Sequence, residues 1–373
     1  MARMKNNSHG ASLYYATDKN VFDALNQHKV DLQTIFKLFQ RRNIIVSKKT
    51  PRDELANYFA RLGHDYFDHK DISSRLGITP RRERITSMDI IGQNDIESVK
   101  AACSKLQHEL EAAGDVVQVT RDGNIFTMNV QYSTIDYKLS EFAQVQVRDG
   151  IIEFEKTADG YIVRNTHNDY LNNVRDSILG NLDKDTTQPL ERKAVSLFDI
   201  TSPKLRSKFF HDLVSSLPGF TRKDVTDVFV YKAMPELEEG DESEDETTDS
   251  DTDNHVERVA LRGFGVTRSE ILNRLLDNNL YYITKIGWTT QENTGVGNVY
   301  DIEAVFSDPK DCTGFSFILS GVYPFEDGAL STRRRGPTKQ EIDSISRVVE
   351  AKARALVIEL RQQFQMQSTT VTE

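Results

Sequence analysis

Between Glu236 and Asp253 the chain carries eleven acidic side chains (Glu236, Glu238, Glu239, Asp241, Glu242, Glu244, Asp245, Glu246, Asp249, Asp251 and Asp253) and no Lys or Arg. Such a stretch repels itself and has almost nothing apolar to bury, so it cannot enter a core and is expected to be disordered. Whatever folds must therefore fold from the residues before and after a linker spanning 236–254. The formal charge of −10 comes largely from this tract; without it, 47 basic side chains face 46 acidic ones. An acidic average thus gives no ground for dismissing a polyanionic partner, because local patches set the local potential. The tract itself has two readings. It is a solubilising linker, or it is a phosphate mimic that competes for a basic surface of the same molecule or of a partner.

A chain of 373 residues has room for two or three domains. No run approaches 18 consecutive apolar residues, so no transmembrane helix is expected. Met1–Gly10 has no apolar core behind its charges, so no secretory signal is expected either. Cys103 and Cys312 are the only cysteines. Two distant thiols make neither a disulfide framework nor a four-ligand metal site, and they fit a reducing cytosol. The expectation is a cytoplasmic protein with no membrane partner, no metal and no cofactor.

Punctuation and periodicity give an α+β chain. Residues 1–12 read as a disordered tail and 13–84 as a small helical module. In that module Asp31 caps a helix with Leu32, Ile35, Phe36, Leu38 and Phe39 on one face. Ile44-Ile45-Val46 is extended. Thr50 caps a second helix with Pro51 at its first position and Asp53-Glu54 in its first turn. A third helix runs through Ile72 and Leu76.

The next domain, 85–235, opens with a helix over 94–113 that Asn94 and Glu97 start and Gly114 stops. The period then changes to two. Asp122-Gly123, Asp149-Gly150 and Asp159-Gly160 each read as hairpin turns, giving an antiparallel meander from Val116 to Val163. A helix carrying Tyr170, Leu171, Val174, Ile178 and Leu179 follows.

Two strand–helix–strand runs come next. Val195–Leu197, a helix from Ser202-Pro203 and Val225–Tyr231 form one; Val259–Leu261, a helix from Thr267 and Tyr281–Trp288 form the other. Duplication is one reading; the commonness of the pattern is the other. The C-terminal α+β domain, 255–365, ends in strands 299–306 and 314–322. A long helix with a Thr338–Glu341 capping box follows, and then a polar tail over 366–373.

Basic residues concentrate at the front. Residues 1–84 carry 16 Lys and Arg against 9 Asp and Glu. Arg41, Arg42, Lys48, Lys49 and Arg52 gather where one helix ends and the next begins. Backbone N–H groups at a helix start also favour an anion. Such a cluster suits several phosphates without sequence preference. It also suits an ordinary solvated face of a helical interaction module. Arg333-Arg334-Arg335, before Gly336-Pro337, offers a second basic site in a loop.

Segment 31–62, with Arg42, Ile44, Ser47, Lys49 and Glu54-Leu55 in comparable places, resembles the SAP-type helix–extension–helix module. That resemblance implies DNA binding through the crossing between the helices. Asn43 and Lys48 stand where that family commonly has glycine. The resemblance covers these 32 or so residues only.

The search for catalytic chemistry finds little. There is no P-loop, GxGxxG, HExxH or GxSxG pattern. His64 and His69 are spaced by five and do not align on a helix face as metal ligands at four would. Asp308-Pro309-Lys310 and Glu350-Ala351-Lys352 are weak versions of a metal-dependent nuclease signature. Asp301 and Glu303 share one face of their strand as paired acids or as exposed strand residues. Trp288 reads as a core anchor, and Tyr14 and Tyr15 as packing.

The sequence expectation is a non-enzymatic nucleic-acid-associated protein. Its phosphate contacts are Arg41, Arg42, Lys48, Lys49, Arg52, Arg333, Arg334 and Arg335. Its α+β body binds a protein partner or a second copy. The alternatives are an effector or interaction subunit of a prokaryotic multi-component system, of the phage-defence or restriction kind, and a nuclease assembled from distant residues.

Overall fold

The computed structural model describes residues 16–76, 82–92, 96–138, 142, 144–184, 189–233, 258–263, 265–266, 269–277, 279–293, 297–326 and 328–370. The expected tail 1–12, the acidic linker, Tyr14, Tyr15, Asn94 and Thr267 lie outside these residues. In chain order the elements are α1 (Asp18–Asn26), α2 (Leu32–Arg41), α3 (Arg52–Ala60), α4 (Tyr66–Leu76), β1 (Ile85–Ile91), α5 (Ile96–Ala113), β2 (Val116–Asp122), β3 (Ile125–Ile135), β4 (Val145–Lys156), β5 (Gly160–Thr166) and α6 (Asp169–Lys184). They continue with β6 (Glu191–Ala194), α7 (Pro203–Ser215), β7 (Phe220–Lys232), β8 (Arg258–Arg262), α8 (Glu270–Asp277), β9 (Tyr281–Glu292), β10 (Val299–Asp308), β11 (Thr313–Tyr323), β12 (Phe325–Glu326), β13 (Ala329–Leu330) and α9 (Lys339–Thr370). The class is α+β, with a long C-terminal helix. Among the described residues no helix is long and apolar enough to cross a membrane.

The chain gathers into two compact units that alternate along the sequence. The first takes Met1–Arg81, Asn94–Lys156 and Tyr170–Pro189; the second takes Arg82–Gln93, Thr157–Asp169 and Leu190–Glu373. The expected domain 85–235 is shared between them.

In the first unit, α1 to α4 close around Val21, Leu25, Ile35, Leu38, Phe39, Leu55, Phe59 and Ile72, with Phe142 completing the cluster. Thr17 starts α1 with a capping box to Asn20. Asp31 starts α2 by accepting the Thr34 N–H at 2.6 Å, which holds its carboxyl below the ordinary range. The start of α3 differs by one residue from expectation. Pro51 is the N-cap, extended at ψ 151°, and makes no side-chain cap bond.

The same unit contains the antiparallel run β2–β3–β4. Its alternation is as expected: Phe126, Met128, Val130 and Tyr132 of β3 are buried, as are Ile152 and Phe154 of β4. The turn between β2 and β3 is Gly123-Asn124, with Gly123 at φ 55°. The expected turn at Asp149-Gly150 is corrected. Both residues lie inside β4, paired with Gln131 and Val130. Gly150 is there for close approach instead, since a Cβ at that position would overlap Leu171 Cδ1 of α6.

The second unit is built on antiparallel strands in the order β5-β1-β11-β10-β9-β7-β8, with β6 paired to β1. β5 pairs with β1 along the whole of its length, from Ile85 opposite Thr166 to Ile91 opposite Gly160. Helices α7 and α9 cover one face, around Phe209, Phe210, Trp288, Ile302, Phe306, Phe317, Val349 and Leu356. Trp288 is a fully buried core anchor.

Both strand–helix–strand runs form, but they do not occupy equivalent places. The first strand is Glu191–Ala194 rather than 195–197, and it pairs with β1; β8 pairs with β7. Val195 and Leu197 enter the core just after their strand. The expected tail from 366 is also corrected, because α9 runs to Thr370. No Gly or Pro follows Pro337, and Gln362, Gln363, Gln365 and Met366 are good helix formers.

Candidate nucleic-acid interface

The crossing between α2 and α3 is set by its two ends. Asn43 ends α2 in the left-handed region at φ 57°, the backbone state that a glycine adopts freely. The Asn43 and Ile44 amides donate back to the Gln40 and Phe39 carbonyls at 2.9 and 3.0 Å. At the other end a turn forms where the Thr50 N–H reaches the Ser47 carbonyl at 3.1 Å. The Lys49 N–H reaches Ser47 Oγ at 3.2 Å.

The five cations expected to act together divide into two groups. Arg42 turns inward. Its Nη2 donates to the Gly63 carbonyl and, at 2.5 Å, to Oδ2 of the buried Asp68. Its guanidinium lies 4.6 Å from the centre of the Phe59 ring. Arg52 also turns inward. Its Nη1 donates to the carbonyls of Leu25, Gln27 and Val30 at 2.7, 3.1 and 2.7 Å, tying α3 to the turn that leads from α1 into α2. Arg41 pairs with Asp71 with both side chains half exposed. Lys48 and Lys49 are exposed, and among the described residues their side chains make no bond or ion pair. Beside them Ile45 is 97% exposed. The outward face of the crossing is thus Ile45, Lys48 and Lys49, flanked by Arg41.

Arg333, Arg334 and Arg335 belong to the second unit, so the two expected basic sites are carried by different units. Arg335 is structural. Its guanidinium holds Glu341 through two bonds of 2.8 and 2.6 Å, and its backbone pairs with Val322. Glu341 also accepts the Thr338 N–H at 2.7 Å, completing the expected capping box of α9. The Arg335 bonds and this backbone bond outweigh desolvation and hold the Glu341 carboxyl down at about 2. Arg334 pairs with Asp301. Burial still raises the Asp301 carboxyl despite that partner, with Asp227 and Glu303 adding to the effect. Arg333 is exposed, and no ion pair engages it among the described residues.

A third arrangement was not found from the sequence. On the face of the second unit's sheet opposite α7 and α9, one cross-strand row runs Ser316 (β11), Val305 (β10), Lys285 (β9), Phe229 (β7) and Ala260 (β8). The neighbouring row runs Ile318, Glu303, Gly287, Asp227 and Arg262. Glu303 binds Lys285 at 2.7 Å and also Arg84, while Asp227 binds Arg262 at 3.1 Å. Burial alone would raise the Glu303 carboxyl, but its two cations more than offset this and keep it below the ordinary range. Lys285 stands 4.7 Å from the centre of the Phe229 ring.

Ser316, Val305, Lys285 and Phe229 of the first row line a cleft of about 320 Å³, together with Arg84, His167, Tyr231, Arg258 and Ser307. Arg258 lies over the Tyr231 ring and has no ion pair among the described residues. The signal in the sequence was the two-residue alternation Lys285-Gly287-Thr289 and Asp301-Glu303-Val305. The alternation fixes which residues share a face of one strand. It does not say which strands are neighbours.

The weak nuclease signatures resolve into structural roles. Asp308 closes a turn by accepting the Lys310 and Asp311 amides at 3.0 and 3.3 Å. Glu350 is buried and grips Arg164 through two bonds of 2.7 Å. Asp301 and Glu303 do share a face, but each is matched by a cation. His64 packs on Phe59 at 5.1 Å and lies 6.2 Å from the His69 ring. Among the described residues no three acidic, His or Cys side chains cluster as metal ligands would. Compared with known proteins, the chain matches no protein-family model and no curated sequence.

Proposed function

We propose that the chain is a non-enzymatic nucleic-acid-associated protein. Its helix–crossing–helix segment rests on phosphates without reading sequence, and its α+β body engages a protein partner or a second copy of the chain. DNA is the polymer that the SAP-like resemblance of segment 31–62 favours. One observation carries the reading: the division of labour among the five cations. Arg42 and Arg52 brace the two ends of the crossing from inside. Lys48 and Lys49 are left exposed and unpaired on the braced segment, among the described residues. A held backbone with two unengaged ammonium groups positions charge without spending internal ion pairs, which suits contact with a phosphate backbone. Arg41 and Arg333 are secondary contacts on this reading.

The test is a salt titration of binding to a fluorescent 30-base-pair duplex. Each phosphate contact steepens the fall of log K with log salt by about 0.9. Replacing Lys48 and Lys49 together by Ala is expected to flatten that slope by roughly 2 while leaving the melting temperature unchanged. An unchanged slope removes the crossing from the interface.

A further inference from the structure

We propose that the cleft on the sheet of the second unit binds the phosphate of a small organic ligand of about nucleotide size. This does not rest on the reading of Lys48 and Lys49, which belong to the other unit.

The charge balance of the cleft is the first argument. Arg84, Lys285 and Arg258 line it, and Glu303 is the carboxylate that answers the first two. Glu303 engages Lys285 and one terminal nitrogen of Arg84. The Arg84 Nε remains without a hydrogen-bond acceptor although its atom is buried, and Arg258 has no ion-pair partner among the described residues. Among the described residues the cleft therefore keeps cationic donors in excess of the acceptors that answer them.

The second argument is a hydroxyl. Ser316 is 0% exposed and lines the cleft, and its Oγ has no hydrogen-bond partner among the described residues. Cross-strand pairing sets it on the same face as Val305 and Lys285. Folds rarely leave a buried polar atom unmatched, because its lost hydration is not recovered. Here the two residues that carry such atoms, Arg84 and Ser316, both line one cleft. An oxyanion with several acceptor oxygens offers acceptors to that wall, and a guanidinium matches phosphate geometry better than an ammonium does.

Size and lining narrow the ligand. A volume of about 320 Å³ lies at the low end of small-molecule sites, which run from roughly 300 to 1,000 Å³. That is room for one small molecule and not for a duplex. Phe229, Tyr231 and Val305 supply an apolar wall against which a flat organic group can lie.

The experiment is calorimetric titration of the full chain, at low ionic strength, with adenosine 5′-monophosphate, adenosine and inorganic phosphate. The monophosphate is expected to bind, inorganic phosphate to bind more weakly, and adenosine not to bind. Arg258→Ala and Ser316→Ala are each expected to weaken the monophosphate at least tenfold with no fall in melting temperature. Ser316→Ala removes an atom that makes no bond, and Arg258 is a surface residue, so both variants should fold. Replacing Lys48 and Lys49 by Ala should leave this affinity unchanged. The proposal is overturned if the folded chain binds neither phosphate compound. It is equally overturned if both cleft variants bind as the parent does, or if an eight-nucleotide single strand binds and the monophosphate does not.

Discussion

The helical crossing of the first unit and the sheet face of the second are both rich in cations, yet they use them in opposite ways. At the crossing Arg42 and Arg52 point inward, toward backbone carbonyls and one buried carboxylate, and the lysines point out. On the sheet, cations and carboxylates answer one another across strands, as in Arg262–Asp227, Lys285–Glu303 and Arg334–Asp301. The contrast teaches that a run of basic letters mixes two kinds of residue. A guanidinium with five fixed donors can brace several acceptors at once; an ammonium on a flexible stem gives up less by staying in water.

The largest expected effect tests the paired side of this contrast. Glu350→Ala takes a buried carboxylate from the partly buried Arg164 and from Arg354 and should cost about 3 kcal/mol in urea unfolding. Replacing both partners by apolar residues, Arg164→Met with Glu350→Leu, should recover most of the loss. A mild single-variant effect would mean that the pair contributes little, and the contrast would weaken. Next comes the braced side. Arg52→Met removes three bonds to carbonyls between the last turn of α1 and the start of α2 and should cost about 1.5–3 kcal/mol. The Lys48→Ala, Lys49→Ala pair should stay within about 0.5 kcal/mol of the parent. If Arg52→Met left stability alone but abolished duplex binding, Arg52 would be a contact and not a brace.

A pH experiment gives a smaller effect with a definite sign. The Glu341 carboxyl is held at about 2 in the fold, against 4.5 when unperturbed. A depressed acid stabilises the fold above its unfolded value and loses that contribution as pH falls through the folded one. The stability gap between the parent and Glu341→Gln should therefore be constant above about pH 4.5 and close as pH falls toward 2. The smallest effect concerns the acidic tract. Deleting 236–253 should tighten duplex binding a few-fold at low salt, and the gain should vanish as salt rises. No change at any salt would remove the phosphate-mimic reading and leave the tract a linker.

Local elements were legible in the sequence because their causes are local. Leu38 and Phe39 in α2, Val99 and Cys103 in α5, and Met128 and Val130 in β3 are buried as their periods require. The failures share a different cause. Asp149-Gly150 carries a turn's letters but serves a contact with Leu171, and no window around Gly150 contains Leu171. The pairing of β5 and β6 with β1 is not legible locally, because it is a choice among distant strands. The same limit applied to the candidate sites. Cation clustering found Lys48 and Lys49, but it could not tell them from Arg42, whose partner Asp68 is 26 positions away. The cleft escaped notice because its row of Ser316, Val305, Lys285 and Phe229 draws one residue from each of four strands.

The alternation of the two units along the chain bears on how the protein is made. Thr86 beside the start of β1 bonds the Phe315 carbonyl 229 positions later at 2.8 Å, and Ile85 pairs with Phe317. A ribosome adding about 5–20 residues per second needs roughly ten to forty-five seconds to deliver that partner. Throughout that interval β1 is an emerged strand still lacking one neighbour, which makes holdase protection during translation a condition of good yield. For the same reason a gene cut at residue 84 or inside the acidic tract should give insoluble halves rather than two working domains.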